Sequence, residues 1–117
     1  VVIDGIRDLM LDINNSTEAT KLVGDLMQWT SEQNIHIQTV LHLNKGDDNA
    51  RGHIGTELNN KAETVLQITK DNTLPERNIV APAIIRSKAF LPFAFRLSEY
   101  EGICLPKLDV DYNVQYA

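Results

Sequence analysis

The chain opens on Val1–Asp4, a β-branched apolar run that ends in a carboxylate. It has no polar alternation, so it reads as a short buried strand of a parallel sheet. Asn14, Asn15, Ser16 and Thr17 form a turn cluster. Ser16 or Thr17 can cap a following helix, with Glu18 well placed in the first turn. From Glu18 to Glu32 the apolar positions are Ala19, Leu22, Val23, Leu26, Met27 and then Trp29 or Thr30. That spacing predicts an amphipathic helix, which Gln33 and Asn34 close. Ile35–Leu43 reads as a second strand, so the first forty residues fit a right-handed strand–helix–strand unit with parallel strands.

Asn44–Glu57 is polar, glycine-bearing and without periodicity, and is expected to be a mobile surface loop. Leu58–Glu63 is long enough for a short helix. Thr64–Thr69 predicts a third strand and Asp71–Arg77 a turn around Pro75. Asn78–Arg86 and Phe93–Leu97 read as an antiparallel pair, with Pro92 at their junction, and Glu101–Leu105 adds a last strand. The expected class is α/β, parallel strands with a flanking helix followed by antiparallel strands, in one domain spanning residues 1–117.

Composition narrows the function. With 117 residues the chain is one domain at most. A net charge of −5 gives no footprint for a self-contained nucleic-acid-binding module. Cys104 is the single cysteine, so no internal disulfide forms. In its apolar context it reads as core, and the compartment as reducing and cytoplasmic. No apolar run approaches the ~18 residues of a membrane span.

Asp4 is the first candidate for chemistry. A carboxylate at the carboxyl end of a parallel strand lies on the edge where open α/β sheets bind ligands. It can hold a nucleotide's Mg²⁺, directly or through water, or simply cap the next turn. Asp8 and Asp12 read as solvated charges on a short helical stretch. His42, next to last in the second predicted strand, approaches the same edge, whereas His36 belongs at the opposite end. His42 can hydrogen-bond a phosphate or a water, or be a histidine satisfied by backbone. Asn44 and Lys45 follow at the strand exit, and Lys45 is either a phosphate neighbour or loop charge. Arg51 with His53, and Arg86 with Lys88, offer cations of the kind that stabilise phosphoryl-transfer charge, although surface arginines are common. HExxH, CxxC, GxSxG and the phosphate loop G-x-x-x-x-G-K-S/T are all absent from the chain.

The order of these pieces carries a resemblance. VVID, then a helix, then VLHLNKG, then ARGHIGTELNNKAETVLQI and finally IIRSK together resemble the later half of a RecA-like P-loop ATPase core. The similarity is to the DnaB-like and RepA-like hexameric helicase branch, and in particular to ATPase proteins of Bacteroides mobilizable elements. It runs from Val1 to about Leu97. The resemblance implies that Asp4 is the Walker B acid associated with Mg²⁺. It places His42 at a strand tip that senses the γ-phosphate, with Asn44 and Lys45 beside the nucleotide. Arg51 and His53 fall in the segment that faces single-stranded DNA, and Arg86 becomes an arginine finger toward a neighbouring subunit. Where the DnaB-like pattern has Lys two residues before that arginine, this chain has Ile84.

The P-loop half of such a domain would precede Val1. The expectation is therefore a fragment of an ATP- and Mg²⁺-dependent DNA-processing protein that by itself binds ATP weakly and hydrolyses none. An unpaired sheet edge would then favour self-association. Two other readings stand beside this one. The first is a non-catalytic α/β interaction domain without a P-loop. The second is a small-molecule enzyme using Asp4 and His42 as an acid–base pair.

Overall fold

The computed structural model describes residues 1–43 and 52–112. They divide into two compact units, Val1–Ala62 and Glu63–Ala117. The first holds two strands, β1 (Val2–Asp4) and β2 (Gln38–Val40), a 3-10 turn (Ile6–Leu9) and two helices, α1 (Ser16–Gln33) and α2 (Gly52–Lys61). The second is an antiparallel meander of β3 (Thr64–Lys70), β4 (Arg77–Ile85), β5 (Phe93–Tyr100) and β6 (Ile103–Leu108), in that spatial order. The chain is thus α/β, with a parallel pair and a separate four-stranded antiparallel sheet. Among the described residues no helix is long and apolar enough to cross a membrane.

β1 and β2 pair in parallel, with Val2 opposite Gln38, Ile3 opposite Thr39 and Asp4 opposite Val40. The expected buried strand is only half realised. Each strand has one described partner, so Val1 and Val2 stay exposed while Ile3 packs on the core. β2 is also shorter than Ile35–Leu43.

Helix α1 follows its apolar stripe. Ala19, Val23 and Leu26 are buried and Leu22 packs against them, whereas Met27 and Trp29 are exposed. The cap is Asn15 rather than Ser16 or Thr17. Its Oδ1 accepts the Glu18 amide at 3.1 Å, which draws Ser16 and Thr17 into the first turn. The Glu18 carboxylate reaches back to the amides of Leu11 and Asp12 and so ties the preceding loop to the helix start. Asn34 ends the helix with a left-handed backbone, φ 50°.

Helix α2 corrects the expected loop, because residues 52–57 are its first turns. Ile54 and Leu58 stand four apart and share one face. Ile54 is fully buried with Ile6, Met10, Ala19, Val23 and Leu26, and Leu58 packs against that cluster. Two apolar residues in a polar stretch suffice once α1 supplies the other wall, a tertiary effect with almost no local periodicity.

In the second unit, β3 and β4 change register between Val65 and Leu66: Val65 lies opposite Ile84 and Leu66 opposite Pro82. The bulge relieves the sheet where Pro82 has no amide to donate. β5 and β6 join through Glu101 and Gly102, both at positive φ (50° and 78°), the backbone of a two-residue hairpin turn. Cys104 is exposed on β6, not core as its apolar neighbours suggested, because β6 is an edge strand and all its residues are exposed.

A charged cluster fixes the segment after β6. The Asp109 amide donates to the Ala94 carbonyl at 2.8 Å. The Asp109 Oδ2 accepts from Arg77 Nε at 2.7 Å and from Arg96 Nε at 2.8 Å, and its side chain is only 3% exposed. Arg77 also donates to Asp71 at 3.2 Å and lies under the Tyr112 ring. The bonds from Arg77 and Arg96 hold the Asp109 carboxyl at about 2, below its usual 3.8, against the opposing effect of burial. Asp71 is lowered too, first by the Thr73 backbone amide, and Arg77 is raised, first by its bond to Asp109.

A carboxyl depressed on folding stabilises the fold above its unfolded value and loses that contribution as the pH falls through its folded value. The cluster is therefore at full strength above about pH 4 and fails toward about pH 2. Asp109→Asn is expected to lower the urea midpoint at neutral pH, because it leaves two guanidinium donors poorly partnered. The variant should also show a flatter loss of stability between those pH values than the wild type. Parallel acid dependences in the two proteins would remove the cluster from the account.

Candidate functional site

The site begins where β1 ends. Asp4 is the last residue of the strand, and Gly5 follows with φ 77° and ψ 56°. This left-handed backbone turns the chain off the sheet into the 3-10 turn, where the Asp8 amide donates to the Gly5 carbonyl at 2.9 Å. A side chain here would be strained by the backbone, and the exposed Asp8 side chain would have to shift. L-residues disfavour this φ, and a Cβ on Gly5 would lie 3.0 Å from Asp8 Oδ2. The Asp-Gly pair thus presents the Asp4 carboxylate at the strand end.

The neighbouring parallel strand ends at the same edge. Asp4 lies opposite Val40, and the chain then leaves β2 through Leu41 and His42. His42 is two residues past the strand rather than next to last within it. Asp4, Gly5, Arg7, Asp8, Met10, Ile13, Val40, Leu41 and His42 line one open cleft of about 660 Å³. Asp4 and His42 are both exposed. His36 lies at the far end of the pair, where its carbonyl accepts a 2.7 Å bond from the Val1 amino group.

The two residues weighted most heavily from the sequence are therefore brought to one cleft. Arg7 and Asp8, set aside as minor or unremarked, line it too. The signal that could have found them is the glycine after Asp4, since a left-handed turn there folds the next residues back beside the strand end. Arg86 is exposed just beyond β4, with its amide donating to the Glu63 carbonyl at 3.2 Å, and it belongs to the second unit. His53 is exposed in the first turn of α2 rather than in a loop. Asn44, Lys45 and Arg51 lie outside the described residues.

The donor set bears on a cation. Among the described residues no group of three or more His, Cys, Asp or Glu side chains could cage a metal ion. A nucleotide's Mg²⁺ needs no such cage, because it keeps several waters and uses one or two carboxylates together with phosphate oxygens. An exposed Asp4, with Asp8 nearby in an open cleft, fits that lesser demand. The adjacent Arg7 adds a cation suited to phosphate.

No protein-family model, curated protein or solved structure matches this chain.

The turn geometry gives a direct expectation. Gly5→Ala should destabilise the chain by about 1–2 kcal/mol, since it forces alanine into a left-handed backbone. Asp4→Asn, an exposed change, should stay within about 0.5 kcal/mol of the wild type. Equal urea midpoints for Gly5→Ala and wild type would show that the strand end is not held in this conformation.

Proposed function

We propose that this chain is part of a RecA-like, ATP-dependent DNA-processing protein of the replicative-helicase or mobilisation type, with Asp4 as its Walker B acid. The observation that supports this best is the pair of parallel strands whose carboxyl ends bring Asp4 and His42 to one open cleft. Open α/β sheets bind ligands at that edge.

In this reading Asp4 would hold Mg²⁺, and the ion would supply charge neutralisation for the phosphates. His42 donates a hydrogen bond to the terminal phosphate or orients the attacking water. Arg7 adds positive charge on the same side. Asn44 and Lys45, which continue the chain from β2, are assigned to the phosphates. Arg51 and His53 are assigned to single-stranded DNA, and Arg86 to the nucleotide of a neighbouring subunit in a homo-oligomeric ring. The backbone cradle and lysine that dominate phosphate binding in such proteins come from a P-loop. This chain has no such motif, so on its own it binds nucleotide weakly and turns over none. The reading places the protein in the cytoplasm.

Titration of Mg·ATP into the ¹⁵N-labelled chain, followed by amide spectra, tests the assignment. The expected result is non-saturating shifts in the millimolar range at Asp4, Gly5 and His42, lost in Asp4→Asn, with no phosphate released. Shifts that ignore the Asp4→Asn change would contradict the Walker B role. Absence of any shift would favour a non-catalytic interaction domain.

A further inference from the structure

The four-stranded sheet has two unlike faces. Residues directly opposite one another in antiparallel strands share a face, and so do alternate residues along a strand. The register therefore places Leu66, Ile68, Val80, Pro82, Phe93, Phe95, Leu97, Pro106 and Leu108 together on one side. The other side is mixed: Gln67, Thr69, Arg77, Arg96, Ser98 and Lys107 share it with Ile79, Ala81, Ala94, Tyr100, Ile103 and Leu105. Much of the apolar side is open to solvent, with Ile68 59% exposed, Leu97 61% and Leu108 61%, although Val80 at its centre is buried. The more apolar face of a sheet normally packs against something.

We propose that a second copy of this chain covers that face, so that two antiparallel sheets pack as a sandwich. The inference is independent of the nucleotide reading. Three features favour a copy of the same face.

The first is area. Strands about 4.8 Å apart, about six residues long at about 3.3 Å per residue, give a face of roughly 400 Å². Two such faces with their side-chain relief bury on the order of 1,000 Å², the lower limit for a specific and weak association. The second is charge. In the strands this face carries one cation, Lys70, and one anion, Glu99, on β3 and β5. A two-fold-related copy offers each to the other, as an isologous interface requires. The third is the state of the sheet's edges. Pro106 and Lys107 blunt β6, and the bulge at Val65 and Leu66 interrupts β3, so pairing through edges is disfavoured while the face is bare.

Sedimentation equilibrium of the intact chain over roughly 1–500 µM spans the affinity expected of such an interface. The average mass should rise from one copy toward two, with a midpoint in the micromolar range. Leu97→Lys and Ile68→Lys, both at well-exposed positions, should each raise that midpoint at least tenfold. Tyr100→Lys, on the opposite face, should leave it unchanged. On the unsubstituted protein, alkylation of Cys104, which lies opposite Glu99 at the rim of this face, should slow as concentration rises. A monomer at every concentration would overturn the proposal and assign the face to another part of the chain or to a different partner. A dimer indifferent to Leu97→Lys and Ile68→Lys, or a Cys104 rate independent of concentration, would also overturn it.

Discussion

The parallel pairing of Val2–Asp4 with Gln38–Val40 is the constraint on which the rest of the first unit depends. Parallel strands cannot be joined by a tight turn, so the chain must travel back along the sheet between them. Helix α1 makes that return, and its apolar stripe becomes the wall on which Ile3, Ile6, Met10 and Ile54 collect. Because both strands run the same way, both carboxyl ends meet at one edge. Asp4 and His42 are neighbours for that reason, although they are far apart in sequence. Gly5 completes the arrangement by turning the chain aside immediately after the acid.

The second unit is organised differently. Its strands follow one another directly, and little lies buried between them beyond Val80 and Ala94. Where apolar packing is thin, the Asp109 carboxylate joins β4 and β5 to the segment after β6 through two arginines and a backbone bond. Such a buried charge cluster helps only while every partner is present. Asp109 keeps its oxygens occupied by Arg77, Arg96 and the Asp111 amide. The same thin packing leaves much of the more apolar face of the sheet exposed.

Much of this was legible in local sequence. The spacing of Ala19, Leu22, Val23 and Leu26 located α1 to within a few residues, and the β-branched run at Val1–Asp4 located β1. The runs at Thr64, Asn78 and Phe93 located β3, β4 and β5, since strand propensity and turn residues are local signals, but that β3 pairs antiparallel with β4 in a sheet apart from β1 and β2 was not read there. Features that depend on distant partners were not legible. Ile54 and Leu58 are too few to announce a helix, and only the α1 wall makes α2 stable. Cys104 sits in an apolar run, yet exposure follows from the edge position of β6, which sequence does not encode locally. Asp109 looks like an ordinary loop carboxylate until Arg77 and Arg96 are brought beside it. Of the candidate site, Asp4 and His42 were legible because a strand direction fixes which end is which. Arg7 and Asp8 needed the left-handed turn at Gly5.

The central claim is that Asp4 is the acid of a nucleotide site completed by a phosphate loop, and the coding sequence in frame just before Val1 tests it most directly. A reading frame continuing upstream for about a hundred codons, the size of a half-domain, through a strand and then G-x-x-x-x-G-K-S/T, is the predicted result. A start codon close by, or an upstream stretch with no phosphate loop, would contradict it and leave Asp4 as a strand-end carboxylate that shapes a turn.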